Sequence, residues 1–241
     1  MNCNFLKLTP KDIKTIHGFI ALFDILGYSQ WIKKRHIEEV VINHKNMKHM
    51  VTTNVENFLN HALQKEIIKV QSYADTFLIY TNETSETGFK TIMAACRGVF
   101  EAAICFALPI RGAVTCGEFY ASEDTITGKP LIEAFEMEKE QDWIGCWIAD
   151  TCFKKISPKE KRRYKEDKMV VRYSIPFKEG TVEDVYAYNW VAHAIHNPRD
   201  IDLNYLMEKS FLQKGTSHTW HEERKIKNTT EFYNFIKNTT V

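Results

Sequence analysis

Gly18-Phe19-Ile20-Ala21-Leu22-Phe23-Asp24-Ile25-Leu26-Gly27-Tyr28-Ser29 is the stretch on which the reading of this chain turns. It is an apolar run with one carboxylate in its interior, closing on a glycine and two hydroxyl-bearing residues. So apolar a run, at about 19–25, reads as a strand buried on both faces. An ionised Asp inside such a strand is costly unless something pairs with it. Asp24 therefore calls for a metal ion, a cationic side chain, or a place at the strand's open end. The turn behind it presents backbone N–H groups and the positive end of a helix, which together make a phosphate seat.

Working outward, Tyr28 to about Gln64 turns helical, with Trp31, Ile32, Val40, Val41, Met47, Val51, Val55, Phe58, Leu59 and Leu63 apolar. This predicts two helices or one broken helix. His36, His44, His49 and His61 on this segment are read as solvated residues rather than ligands. Two apolar arms, 67–70 and 77–80, flank a small polar middle, a hairpin with a tight turn near Ser72–Asp75. A mostly buried helix follows over 86–107, stopped by Pro109, then a strand from Ile110 with a bend at Gly117. A helix is predicted from about Gly128 to Gln141, with Leu131, Ala134, Phe135 and Met137 inward and the glutamates outward. Beyond it lie a short strand and helix at 145–156, a solvated charged stretch at 158–168, strands at 169–175 and 184–191, and a polar helical tail from about 200.

The order β, long α, β-hairpin, α, β predicts an α+β fold: a ferredoxin-like βαββαβ palm core, its antiparallel sheet covered by helices on one face. Residues 1–150 form this core, and 151–241 a C-terminal β/α extension completing the same domain. The chain has 241 residues, 44% hydrophobic and 26% charged, enough for a substantial core. Its net charge of +1 supplies no global field for nucleic acid or an anionic membrane. No apolar run reaches the roughly 18 residues of a membrane span, and Met1–Phe5 lack the order of a signal peptide. Cys3, Cys96, Cys105, Cys116, Cys146 and Cys152 include no CxxC and are read as reduced thiols of a cytoplasmic protein.

The topology places Asp24, at the end of the first strand, and Asp75, at the hairpin turn, at the same end of the sheet. Two carboxylates so close repel unless a cation lies between them. Two Mg²⁺ or Mn²⁺ ions held by such a pair form a clamp for in-line displacement at phosphorus. The plainer alternative makes Asp24 a helix cap and Asp75 a turn residue.

Phe23-Asp24-Ile25-Leu26-Gly27-Tyr28-Ser29 resembles the F-x-D-I-x-G-F-S/T strand of class III nucleotidyl cyclases. Ser72-Tyr73-Ala74-Asp75-Thr76-Phe77-Leu78 resembles their G-D-x-F hairpin, with Ala74 in place of glycine. Arg111-Gly112-Ala113-Val114-Thr115-Cys116-Gly117 resembles their L-R-x-G-x-x-x-G strand, so that the likeness spans about residues 18–140. Where purine cyclases read G-x-x-V-N-x-A-A-R, Ile132 and Glu136 replace the asparagine and the arginine. The run Gly128…Glu133-Ala134-Phe135-Glu136-x-Glu138, with Tyr73-Ala74-Asp75-Thr76-Phe77, is similar to the bacterial pyrimidine (uridylate) cyclases of Pycsar anti-phage systems.

That resemblance implies conversion of UTP to 3′,5′-cyclic UMP and pyrophosphate, in a homodimer, with a separate receptor effector answering the product. It implies Asp24, Asp75 and Arg111 as catalytic, and Asp24, the Ile25 carbonyl and Asp75 as ligands of two Mn²⁺ or Mg²⁺. Phe23, Leu26, Gly27, Tyr28, Ser29 and Arg111 are its nucleotide-binding residues, the amides from Leu26 to Ser29 seating the triphosphate. Arg111 is read equally as a bidentate phosphate donor and as a structural salt bridge. Tyr73, Cys116 and Tyr120 are candidates for the base pocket, and Gln71 and Lys69 for base selection. Alternatives are a cytidylate cyclase and a degenerate cyclase domain that binds nucleotide without turnover.

Overall fold

Strand β1 (Ile16–Ile25) lies at the middle of the sheet, antiparallel to a neighbour on each side. The structure, a computed structural model, describes residues 9–58, 68–195 and 220–240. Expectations for Cys3, Leu59, His61, Leu63, the arm residue Ile67 and the tail over 196–219 fall outside those residues.

After β1 the chain forms α1 (Tyr28–Ile32) and α2 (Ile37–Phe58), the predicted broken helix. The hairpin is β2 (Ile68–Tyr73) and β3 (Thr76–Thr81), joined by Ala74-Asp75. Helix α3 (Glu86–Cys105) starts where the Ser85 side chain accepts a hydrogen bond from the Gly88 amide at 3.1 Å, and stops short of Pro109. Then come β4 (Ile110–Ala121), β5 (Ile126–Gly128), α4 (Lys129–Glu140), β6 (Gly145–Ile148), α5 (Asp150–Phe153), α6 (Pro158–Glu166), β7 (Val170–Pro176), β8 (Thr181–Tyr188), α7 (Trp190–Ile195) and α8 (Trp220–Thr240).

The strand order is β2-β3-β1-β4-β6-β8-β7, with β5 paired to β4. The first four strands are the predicted antiparallel palm. Strand β6, still within residues 1–150, adds to β4 in parallel, and the extension joins through the antiparallel pair of β6 with β8, so one sheet runs through both halves.

Two expectations change. Strand β4 runs straight through Gly117 instead of bending there; a Cβ at this position would meet Pro130 of α4 at 3.5 Å. Helices cover both faces. Phe19 and Phe23 pack edge-on against Phe89 and Phe100 of α3, and Phe77, on the same face, stacks on His44 of α2. Helix α4 lies on the opposite face, where Thr115 Oγ1 donates to the Pro130 carbonyl at 2.7 Å. The charged stretch 158–168, expected as a solvated loop or helix face, contains helix α6, capped by Ser157 and anchored by a fully buried Tyr164.

Phe23 lies over a residue with no side chain. It pairs with Gly112, where a Cβ would come within 2.3 Å of its ring. This explains the Arg-Gly dipeptide that opens β4: the glycine accepts the ring, and Arg111 beside it faces the other way. In the extension Trp143, Tyr173 and Phe232 form an aromatic cluster that ties α8 to the sheet. No described helix is long and apolar enough to cross a membrane.

Candidate active site

Asp24 pairs with Thr76 on one side and with Arg111 on the other, so the strand register sets a carboxylate, a hairpin end and a guanidinium side by side. Asp75 occupies the hairpin tip, and its carbonyl accepts from the Ile25 amide at 3.0 Å. The sequence expectation that Asp24 and Asp75 share one end of the sheet matches this arrangement.

Ala74, which stands where the resembling hairpins carry glycine, adopts a left-handed backbone with φ of 50°. A Cβ in that region costs roughly 1–2 kcal/mol. Ala74→Gly is therefore expected to stabilise the protein by about 1 kcal/mol, measured by urea unfolding. An equal or lower midpoint would show that the turn carries no such strain.

Arg111 is held on three sides. Its Nε donates to Glu138, its Nη1 donates to the Gln141 carbonyl at 2.8 Å, and its Nη2 lies 3.7 Å from Asp24 Oδ2. Of the two readings of Arg111, the structure places it in the salt bridge. Glu138 is 4% exposed, contrary to the expectation that the α4 glutamates point outward. The missed signal was its spacing: Leu131, Ala134, Glu138 and Gln141 recur at helical three- and four-residue steps, so Glu138 lies on the inward stripe. Phe135, expected inward, is 53% exposed for the same reason.

These charges set the state of Asp24. Burial pushes its carboxyl up to about 6, and Glu138 and Asp75 add to the rise while Arg111 and Lys178 oppose it. Burial also raises the Glu138 carboxyl, an effect that Arg111 only partly offsets.

The turn after β1 has Gly27 at φ of 72°, the left-handed region that glycine enters freely. The amides of the first turn of α1 have no intrahelical acceptor. Leu26 departs from expectation, because its amide donates to the Pro109 carbonyl at 2.8 Å. That leaves Gly27, Tyr28 and Ser29 for an anion. Phe23 also departs: its side chain is fully buried on the far face against Phe100. Cys116 faces that side too, beside Cys152 of α5, and so does not line a pocket with Asp24.

His44, expected on a solvated face, is half-buried. Its Nε2 shares a 3.1 Å hydrogen bond with the Tyr28 hydroxyl, and its ring stacks on Phe77. It thereby joins the glycine turn to the Asp75 hairpin.

Among the described residues no cluster of three or more His, Cys, Asp or Glu side chains has the arrangement of a metal site. The donor set nevertheless fits a hard divalent cation. The charge of Asp75 raises the cost of ionising Asp24, and Arg111 is the only counter-charge within 4 Å of Asp24 among the described residues. Mg²⁺ is characteristically held by one or two carboxylates plus water and substrate phosphates.

No protein family model and no curated relative matches the sequence. Among solved structures, the catalytic core of a rhodopsin-guanylyl cyclase with converted specificity, in complex with ATPαS, superposes with a TM-score of 0.52 at 12% identity. That alignment covers 73% of this chain and 96% of the other. The fold is the class III cyclase palm. A bacterial light-regulated adenylyl cyclase matches with a TM-score of 0.52 at 11% identity, over 83% of this chain and 99% of its own. Identities this low establish shared architecture and leave the chemistry to the residues.

Proposed function

We propose that this protein is a nucleotidyl cyclase of the pyrimidine branch, converting UTP to 3′,5′-cyclic UMP and pyrophosphate. The observation that carries the reading is that Asp24 and the hairpin-tip residue Asp75 lie at one end of a cyclase palm, directly ahead of a left-handed glycine turn. Asp24, Asp75 and the Ile25 carbonyl would hold two Mn²⁺ or Mg²⁺ ions. When bound, such ions polarise the phosphate and lower the pKa of the attacking hydroxyl. The amides of Gly27, Tyr28 and Ser29 seat the triphosphate. The ribose 3′-oxygen bonds to the α-phosphorus, the bond to the bridging oxygen breaks, pyrophosphate leaves, and the hydroxyl proton passes to water. Arg111 balances Asp24 from the strand beside it.

The pyrimidine reading is supported by Ile132 and Glu136, which replace the asparagine and arginine of purine cyclases. Both are exposed on α4. Gln71 lies two positions along the sheet from Asp24, on the same face, through Leu78 and Leu22. With Lys69 and Tyr80 it lines a cavity of about 590 Å³ that extends away from Asp24 toward Ile16, Asn82 and Ala121. Its amide offers both a donor and an acceptor, as a pyrimidine edge requires. UTP is preferred to CTP because uridylate cyclases are the commoner branch. The same branch supplies the anti-phage role and the separate cyclic-nucleotide receptor of this proposal. A homodimer is supported by Tyr73, Ile132 and Phe135, large apolar side chains 53–58% exposed on the face that carries Asp24.

One observation favours a second reading: two donors of Arg111 are committed to Glu138 and Gln141. A cyclase palm so arranged is also a nucleotide-binding module without turnover. The deciding measurement incubates purified protein and Mn²⁺ with each of the common ribonucleoside triphosphates in turn. Cyclic product and pyrophosphate from one pyrimidine are expected. UTP-dependent thermal stabilisation with no pyrophosphate would establish the binding module, and conversion of ATP or GTP alone would overturn the pyrimidine assignment.

A further inference from the structure

Asp142 follows Gln141 directly, and its side chain is fully buried. A buried carboxylate is tolerated only when paired, and both of its cations come from one element, the C-terminal helix α8. Arg224 Nε donates to Oδ2, and Lys225 Nζ lies 2.9 Å from Oδ1. Two further bonds from the same helix hold the loop backbone. Asn228 Nδ2 donates to the Asp142 carbonyl at 2.7 Å, and Thr229 Oγ1 accepts from the Ile144 amide at 2.9 Å.

The far side of this loop is the wall of the site. The Gln141 carbonyl and the Asp142 amide belong to a single rigid peptide plane. Its oxygen accepts from Arg111 Nη1 at 2.8 Å, and its N–H donates to the Pro176 carbonyl at 2.9 Å. The Gln141 side chain is committed as well, donating to the carbonyls of Gly112 and Met137 and accepting from Trp143 Nε1. A shift of Asp142 therefore turns the plane that Arg111 grips, with few other bonds free to absorb it.

We propose that α8 is a positioning element for the site: its clamp on Asp142 fixes the Gln141 carbonyl and, through it, the Arg111 guanidinium that faces Asp24. Arg224 and Lys225 are positioning residues that act at a distance and touch no substrate. The consequence for catalysis rests on the cyclase reading, whereas the mechanical coupling does not.

The test uses the full chain labelled with ¹⁵N-arginine and follows exchange of the Arg111 Nε–H with solvent. In Arg224→Ala and in Lys225→Ala the exchange is expected to accelerate about ten-fold or more, as a locally opened bond exchanges faster. Arg224→Lys, which keeps the charge, is expected to recover part of the protection. Ile236→Val, which loosens α8 away from the clamp, is expected to leave Arg111 unchanged. Should either alanine variant fail to fold, Asn228→Ala replaces it, since it removes a clamp bond without stranding a charge. Exchange within about two-fold of the parent in the clamp variants, or an equal acceleration in Ile236→Val, overturns the coupling. Mn²⁺ binding, followed in parallel by the paramagnetic signal of the free ion, separates the two readings. Absence of binding in the parent protein sinks the cyclase reading but not the coupling. Unchanged Arg111 exchange sinks the coupling whatever the metal does.

Discussion

Asp24→Asn is expected to stabilise the metal-free protein while abolishing turnover. The carboxyl titrates near 6 in the folded chain against an ordinary value of 3.8, so the folded state holds the proton more tightly than the unfolded state. Stability therefore falls as pH rises from about 4 to about 6 and stays reduced above that. With the side chain only 22% exposed, the penalty at pH 7 is about 3 kcal/mol, at roughly 1.4 kcal/mol for each unit of pKa between 3.8 and about 6. Asparagine removes the charge, so the variant should gain about that much at pH 7 and close to nothing below pH 4. Mn²⁺ should raise the melting temperature of the parent protein above pH 6, less so in more acidic solution, and not that of Asp24→Asn. Turnover should fall by about a thousand-fold or more, the kinetic equivalent of several kcal/mol of lost phosphoryl stabilisation. Thermal melts across pH, with and without Mn²⁺, read all of this. A variant that is less stable than its parent at pH 7 and still turns over would refute the assignment.

Glu138→Ala carries the largest expected loss of stability. It leaves the Arg111 guanidinium, 11% exposed, without its closest counter-charge. Breaking a buried pair from one side costs about 3–5 kcal/mol. Asp24 at 3.7 Å and the Gln141 carbonyl remain, placing the expectation near the lower end. Glu138→Gln retains an acceptor of the same shape and should lose about 1 kcal/mol. Replacing both partners, Arg111→Met with Glu138→Leu, should recover most of the loss, because apolar groups of similar volume need no desolvation of charge. Urea unfolding of the three variants distinguishes a buried pair from a surface contact, for which all three would lie within about 0.5 kcal/mol of the parent.

The palm was legible because its elements carry strong binary patterns. The apolar arms of the hairpin and the uninterrupted stretch before Asp24 left little choice of partner, and Pro109 marked the limit of α3. Asp75 followed from the turn alone. What sequence reading missed depends on contacts between distant residues. Glu138 looked like one more surface glutamate until its spacing was taken against Ala134 and Gln141. Asp142 meets Arg224 and Lys225 across more than eighty residues, and no local pattern announces a pairing at that range. Leu26 failed as a phosphate donor because Pro109, itself unable to donate, offers its carbonyl to that amide. His44 is half-buried rather than solvated because its ring stacks on Phe77, which lies on another element.

The close approach of the Phe23 ring to Gly112 has a consequence for fidelity during folding. Strands can pair in neighbouring registers, and a slip of one residue would turn every side chain to the wrong face. A slip of two keeps the faces right and is the more dangerous error, since it would bring a different residue opposite Asp24. Here that slip sets Phe23 against Ile110 or Val114, whose side chains leave no room for the ring. Gly112 therefore works as a notch that accepts one key, and the alignment it admits is the one that brings Arg111 to Asp24.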